Sequence, residues 1–310
     1  MKIIYMGTPD FAVLGLLKLI QHHEVVAVYT QPDRPAGRGH KLAVSPVKAA
    51  ALAHGLEVQQ PTSLRTIDAH SQLQSYGADI FVVAAYGLIL PKAVLDMPRL
   101  GCINIHASLL PKYRGASPIH AALLNGDSHT GITIMHMDAG IDTGDMILQK
   151  SLDILPQERL LELQDRMANL GAECVLEALA LLGKGIAPRT PQNHDESCYA
   201  PMIKKNDGHI NWNHSTQQII NCLRALDPWP GLYCMYNGQP LKIWGIEAVS
   251  SAPSDALPGT ILAADSSSGL LIKTGDGAAK ITEIQPSGKK RMATYDYLRG
   301  QRMEAGAVFC

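Results

Sequence analysis

Residues 102–138 read CINIHASLLPKYRGASPIHAALLNGDSHTGITIMHMD, in which two strand-like runs, CINIHA and GITIMHM, flank a helical segment. Toward the amino terminus the same alternation recurs, with KIIYM, EVVAVYTQ and DIFVVAAYG separated by helix-forming stretches. Their near-continuous Val, Ile and Ala content is that of strands buried on both faces, which predicts a Rossmann-like parallel α/β sheet. Thr8-Pro9, Ser45-Pro46 and Ser117-Pro118 each put a hydroxyl where an N-cap belongs and a proline at the first helical position. These turns fall at strand ends, where α/β sheets bind ligands.

Three polar groups of the central stretch stand out. Asn104 and His106 are two apart on one strand, so both side chains leave the same face. An amide N–H and a protonated imidazole can together donate to an oxygen that gains negative charge, each lowering a barrier by about 3 kcal/mol. Asp142, in AGIDTGD, can support His106 and help a water take a proton, and Gly140 and Gly144 would let that loop approach a ligand closely. For any one residue a capping, turn or structural role is the simpler reading; the three together favour acyl or formyl transfer. MGTPDFAV has one glycine where a dinucleotide fingerprint needs three, and SLLP lacks a nucleophile elbow, so neither a nicotinamide cofactor nor a serine hydrolase is expected.

The 310 residues exceed the usual size of one domain, and 27 Lys plus Arg against 28 Asp plus Glu leave no bulk field for a polyanion. Any nucleic-acid contact is therefore local. Six cysteines without a CxxC pair or zinc-like spacing read as reduced thiols, and no metal is expected. The first apolar run is too short for a signal peptide, and Ile80–Leu90 is too short to span a bilayer, which predicts a cytoplasmic protein with no membrane partner.

An amphipathic helix is predicted from about Arg159 to Leu182, stopping at Gly183 and Gly185. The polar, proline-containing APRTPQNHDESCYAPMIKKNDG that follows reads as a linker. The expected division is a domain over 1–188, a linker over 189–206 and a second domain over 207–310. The last comprises one helix, STQQIINCLRAL, and short strands with NG, SG and DG turns, the pattern of a small OB-like β barrel. Residues 201–310 hold 11 Lys plus Arg against 9 Asp plus Glu, and the clusters Lys204-Lys205 and Lys289-Lys290-Arg291 matter more than the balance.

The pattern NxHxSLLPKYRGASPI followed by DxGxDTGD resembles the folate-dependent formyltransferase family. MGTPDFA at 6–12, QPDRPAGRGHKL at 31–42, AAYGLILPK at 84–92 and DPWPG at 227–231 are similar to its branch acting on charged tRNA, so the likeness covers nearly the whole chain. The resemblance implies 10-formyltetrahydrofolate as donor and the α-amino group of initiator methionyl-tRNA as acceptor, with Asn104, His106 and Asp142 as catalytic residues. It implies folate contacts at Ser108, Leu109, Leu110 and Pro111, with Leu88, Ile89 and Leu90 lining a pterin pocket. Ala107 departs from the glycine many members carry, a change of one methyl.

For tRNA, the cationic loop with Arg34, Arg38 and Lys41 is the expected acceptor-stem contact, Arg38 foremost, joined by Lys204, Lys205, Lys289 and Lys290. Trp229 and Trp244 read as packing residues. A monomer is expected. The rival readings are a UDP-amino-sugar formyltransferase, a one-domain glycinamide ribonucleotide formyltransferase, and a folate- or RNA-binding protein without catalysis.

Overall fold

The computed structural model describes residues 1–36, 41–249, 255–265 and 267–309, and contacts divide the chain into two compact units. One comprises Met1–Pro118, His129–Ile154 and Glu162–Pro201; the other comprises Ile119–Ser128, Leu155–Leu161 and Met202–Cys310. The division is not a single cut. Two short segments that precede α6 or open it, Ile119–Ser128 and Leu155–Leu161, group with the second unit, whereas residues 189–201, read from composition as linker, belong to the first.

The elements up to residue 106 are β1 (Lys2–Gly7), α1 (Val13–His22), β2 (Glu24–Tyr29), β3 (Arg34–Ala36), β4 (Lys41–Ala43), α2 (Pro46–Ala53), β5 (Val58–Gln59), α3 (Ile67–Ser75), β6 (Ile80–Ala84), α4 (Lys92–Leu95) and β7 (Cys102–His106). There follow β8 (Arg114–Gly115), α5 (Pro118–Asn125), β9 (His129–His136), β10 (Met146–Asp153), α6 (Leu160–Gly183) and β11 (Tyr199–Ala200). Seven strands form the main sheet in the order β10-β9-β7-β6-β1-β2-β5. The five from β7 to β5 are parallel, as the apolar runs of β1, β2, β6 and β7 predict, whereas the two-residue β5 was not announced; all of β6 is buried.

The sheet is nevertheless mixed, because β9 runs antiparallel to β7 and β10 antiparallel to β9. β10 is a strand that the apolar runs did not announce. Its sequence MILQKSLD alternates between more and less exposed positions, as suits an antiparallel edge with one wetter face. Ser45 caps α2 as expected, its Oγ accepting from Lys48 N, with Pro46 in the first turn. Thr8 does not cap a helix: its hydroxyl donates to the Tyr86 carbonyl at 2.9 Å and ties the first loop to the turn after β6.

In the second unit lie α7 (Thr216–Leu226), β12 (Leu232–Tyr236), β13 (Gln239–Val249), β14 (Ile261–Asp265), β15 (Gly269–Lys273), β16 (Ala278–Pro286), β17 (Met292–Ala293) and α8 (Thr294–Gly300). The strands make an antiparallel sheet in the order β12-β13-β16-β15-β14, with β17 on β16. Asn237 and Gly238 both take positive φ, +50° and +73°, in the tight turn that joins β12 to β13. Ser215 and Gln218 form a reciprocal capping box at the start of α7.

Arg224 on α7 is 8% exposed, and its guanidinium donates to the carbonyls of Glu158 at 2.9 Å and Leu155 at 3.0 Å. Those bonds bind residues 155–161 into the second unit. Arg224→Met should lower unfolding free energy by about 3 kcal/mol, since hydrogen bonds from a buried charged donor contribute about 1.5–3 kcal/mol. Urea denaturation checks this, and a change below about 0.5 kcal/mol would refute it. Among the described residues no helix is long and apolar enough to cross a membrane, and all five described cysteines are free thiols.

Candidate active site

Asn104 and His106 lie on β7, on the one face that strand alternation assigns them. The chain leaves β9 at His136, and the loop before β10 brings Asp142 to both of them. Asn104 Nδ2 donates to Asp142 Oδ1 at 3.4 Å, and His106 Nδ1 stands 3.6 Å from Asp142 Oδ2. The same Oδ2 accepts the backbone N–H of Gly115 at 2.8 Å. The three expected groups thus converge within one unit.

The other ring nitrogen of His106, Nε2, lies 2.9 Å from the carbonyl of Tyr113. A carbonyl only accepts, so Nε2 carries a proton and Nδ1 is turned to the carboxylate. Burial to 4% exposure keeps the ring in this pose. Tyr113 has φ +62° and Asp142 φ +52°, so two side-chain-bearing residues at the site sit in the left-handed region. Such conformations persist only where surrounding bonds impose them.

At Tyr113 they are the bond its carbonyl accepts from His106 Nε2 and the one its own N–H donates to Cys198 Sγ; at Asp142 they come from Gln192, which Arg114 holds in turn. Gln192, 5% exposed, donates through Nε2 to the carbonyls of Asp142 and Gly144, both at 2.8 Å. Its Oε1 accepts from Arg114 Nε at 3.0 Å and Nη2 at 2.7 Å. Residues 190–200 are held alongside by the Met146–Thr190 bridge, the parallel pairing of β8 with β11, and the bond from Arg114 N to Cys198 O. No spacing in the sequence singled out Gln192. Tyr113, Arg114 and Gly115 were visible only as part of the KYRG motif.

The glycines of the Asp142 loop serve a different end from the one expected. A Cβ on Gly144 would overlap the carbonyl oxygen of His136, and one on Gly140 would overlap the hydroxyl of Thr143. Both therefore allow the loop to fold closely on its own chain; neither has positive φ.

In the SLLP segment Ser108 is fully buried, its hydroxyl donating to the Lys112 carbonyl at 2.6 Å. Thr133 on β9 bonds the Ser108 carbonyl at 2.6 Å and the Leu110 N–H at 3.1 Å. Leu110 is buried, and Leu109 and Pro111 are half-buried. The Ser108 and Leu110 side chains thus shape the loop itself. Leu88 and Ile89 line a cleft of about 290 Å³ with Thr62–Arg65, whereas Leu90 is in the core.

A cavity of about 660 Å³ is walled by Leu95, Cys102, His136, Met137, Ala139 and Arg189. It adjoins the elements that carry Asn104 and Asp142. Burial pushes the Cys102 thiol up to about 12, so it is no nucleophile two residues before Asn104. Burial, and secondarily Arg189, lowers the pKa of His136 against an opposing pull from Asp145, favouring a neutral imidazole on that wall.

Of the residues expected at tRNA, Arg34 is exposed with Nη2 donating to Gln31 Oε1 at 3.1 Å, and Lys41 opens β4. Arg38 lies outside the described residues. Lys204 and Lys205 are exposed just after the first unit ends, and Lys289 and Lys290 are exposed between β16 and β17. Lys242 Nζ and Arg291 Cζ lie over the ring of Trp244, 5.4 Å and 5.3 Å from its centroid, while Trp229 is 56% exposed rather than packed. Among the described residues no group of His, Cys, Asp and Glu is placed to hold a metal.

An α/β unit in which two donors on one strand meet a carboxylate from the loop before β10, with no side-chain nucleophile among them, defines a group-transfer enzyme. Residues 1–179 match the formyl transferase family model and residues 202–302 match that of the formyl transferase C-terminal domain, so the chain belongs to the formyl transferase family. Methionyl-tRNA formyltransferase of Alkaliphilus oremlandii (strain OhILAs) is 47% identical over 309 residues, 99% of both chains. That of Geobacter metallireducens is 48% identical over 307 residues, 99% of this chain and 97% of its own.

Among solved structures, the sugar 3N-formyl transferase WlaRD, with dTDP and 5-N-formyl-THF, shares the fold at TM-score 0.65 and 20% identity over 94% of this chain and 99% of its own. HypX from Aquifex aeolicus, with tetrahydrofolic acid, does so at TM-score 0.61 and 17% identity over 99% of this chain and 50% of its own.

Proposed function

We propose that this protein transfers the formyl group of 10-formyltetrahydrofolate to the α-amino group of methionyl-tRNA, giving formyl-methionyl-tRNA for translation initiation. The observation that carries the chemistry is the convergence of Asn104 and His106 on Asp142. The acceptor follows from relatives named methionyl-tRNA formyltransferase, matched over 99% of this chain.

The neutral amine attacks the formyl carbon, and the carbonyl oxygen becomes an alkoxide. Asn104 Nδ2–H and a proton on His106 Nδ1 stabilise that oxygen. Asp142 takes the proton leaving the nitrogen through a water, and collapse breaks the bond to folate N10, which is protonated in turn. No covalent enzyme intermediate is required. The folate lies along residues 108–111 and 88–90, by contacts from the segment's backbone and its more exposed side chains.

In this reading the OB-like second domain and the basic residues Arg34, Arg38, Lys41, Lys204, Lys205, Lys289 and Lys290 hold the tRNA backbone. Work in the cytoplasm as a monomer fits, because one copy supplies all three triad groups. Formyl transfer should be found with methionyl-tRNA and not with a UDP-amino-sugar or glycinamide ribonucleotide. Lys289→Ala with Lys290→Ala should raise KM for tRNA and flatten its salt dependence by about 0.9 log units per lost phosphate contact. Activity on either small acceptor, with none on methionyl-tRNA, would overturn the assignment.

A further inference from the structure

We infer that Gln192 and Arg114 are positioning residues that hold Asp142 in its working conformation, so the segment after α6 is part of the active site. The inference rests on the catalytic role proposed above for Asp142. Asp142 has φ +52°, in the left-handed region that side-chain-bearing residues seldom occupy, and one side chain spans its turn. The two N–H bonds of Gln192 end on the carbonyls of Asp142 and Gly144, both at 2.8 Å. Its oxygen takes two more from Arg114, at 3.0 and 2.7 Å. All four hydrogen-bonding positions of the amide are occupied, and a buried polar group used this fully specifies one geometry.

Arg114 acts on both sides of Asp142. Its guanidinium fixes Gln192, hence the backbone of the turn, while the next residue, Gly115, gives its N–H to the carboxylate at 2.8 Å. Its remaining Nη1 lies 3.1 Å from His194 Nδ1, a second neutral partner from the same segment. The pairing of β8 with β11 keeps Arg114 and Gly115 in register with Tyr199 and Ala200. Backbone and carboxylate of Asp142 are thereby set by one short stretch of chain.

No other residue reproduces the clamp. Glutamate keeps the acceptor for Arg114 but turns an oxygen on the two carbonyls; methionine keeps the volume and loses every bond; asparagine is one methylene short. Gln192→Glu and Gln192→Met in the full-length protein should lower kcat for formyl transfer about 10- to 100-fold, since misplacing a reacting group by about 1 Å costs up to about 10²-fold. KM for both substrates should stay within about twofold, as expected for an interaction that matters in the transition state. Gln192→Glu pairs with Arg114 and retains the fold, so it separates positioning from unfolding if Gln192→Met proves unstable.

The deciding measurement is the double variant with Asp142→Asn. If Gln192 acts through Asp142, Gln192→Glu adds less than about threefold to the loss already caused by Asp142→Asn. A full multiplicative loss in the double variant, or wild-type kcat in folded Gln192→Glu, overturns the inference. Undiminished turnover in Asp142→Asn alone would instead overturn the catalytic reading on which it rests.

Discussion

Asn104→Ala and His106→Ala are each expected to cut kcat for formyl transfer by about 10²–10³, the effect of removing one preorganised donor from a developing oxyanion. Asp142→Ala should fall in the same range, because it removes the proton acceptor and the partner of both donors at once. KM for folate should move little in all three. Losses in the triple variant should be far from multiplicative, since groups acting on one transition state fail together. Initial rates at saturating folate and acceptor, with circular dichroism to confirm folding, make the check. Near-normal turnover in all three single variants would end the assignment.

Gly144→Ala is expected to damage both stability and turnover, although it adds a single methyl. A Cβ there overlaps the carbonyl oxygen of His136, which is backbone and cannot swing aside. Either the loop lifts off β9 or the strand end moves. Overpacking of this kind costs about 1–3 kcal/mol. The loop that lifts also carries the carbonyl bonded by Gln192 and the carboxylate of Asp142. Urea unfolding should show the lost stability, and kcat should fall at least about tenfold. Wild-type stability and rate would mean that the loop tolerates displacement and that its close fold is incidental.

Much of this site was readable along the chain. The period-two alternation of β7 put Asn104 and His106 on one face, and the apolar runs identified four strands of the parallel layer, β1, β2, β6 and β7, together with β9, which returns antiparallel. β10 escaped because half of its residues are polar or charged, as an edge strand permits. The resemblance implies a folate contact at Ser108; its bond to the Lys112 carbonyl places the side chain within the turn.

Gln192 was hidden for a more general reason. It sits in a polar stretch with no apolar period, and composition equates such a stretch with a linker. Yet polar side chains and irregular backbone are what a hydrogen-bonded strap is made of. The strap's bonds run to Asp142, Gly144 and Arg114, all distant in sequence.

From sequence alone came four strands of the parallel layer, the helix of residues 160–183, the face shared by Asn104 and His106, and the resemblance that the family match bears out. Local periodicity and motif spacing encode these, because a side chain's direction within a strand depends only on its neighbours. Tertiary structure alone decided the antiparallel return of β9 and β10, the arrival of Asp142 beside both donors, and the clamp by Gln192 and Arg114. Those depend on hydrogen bonds between segments far apart in the chain, which leave no repeating pattern in the order of residues.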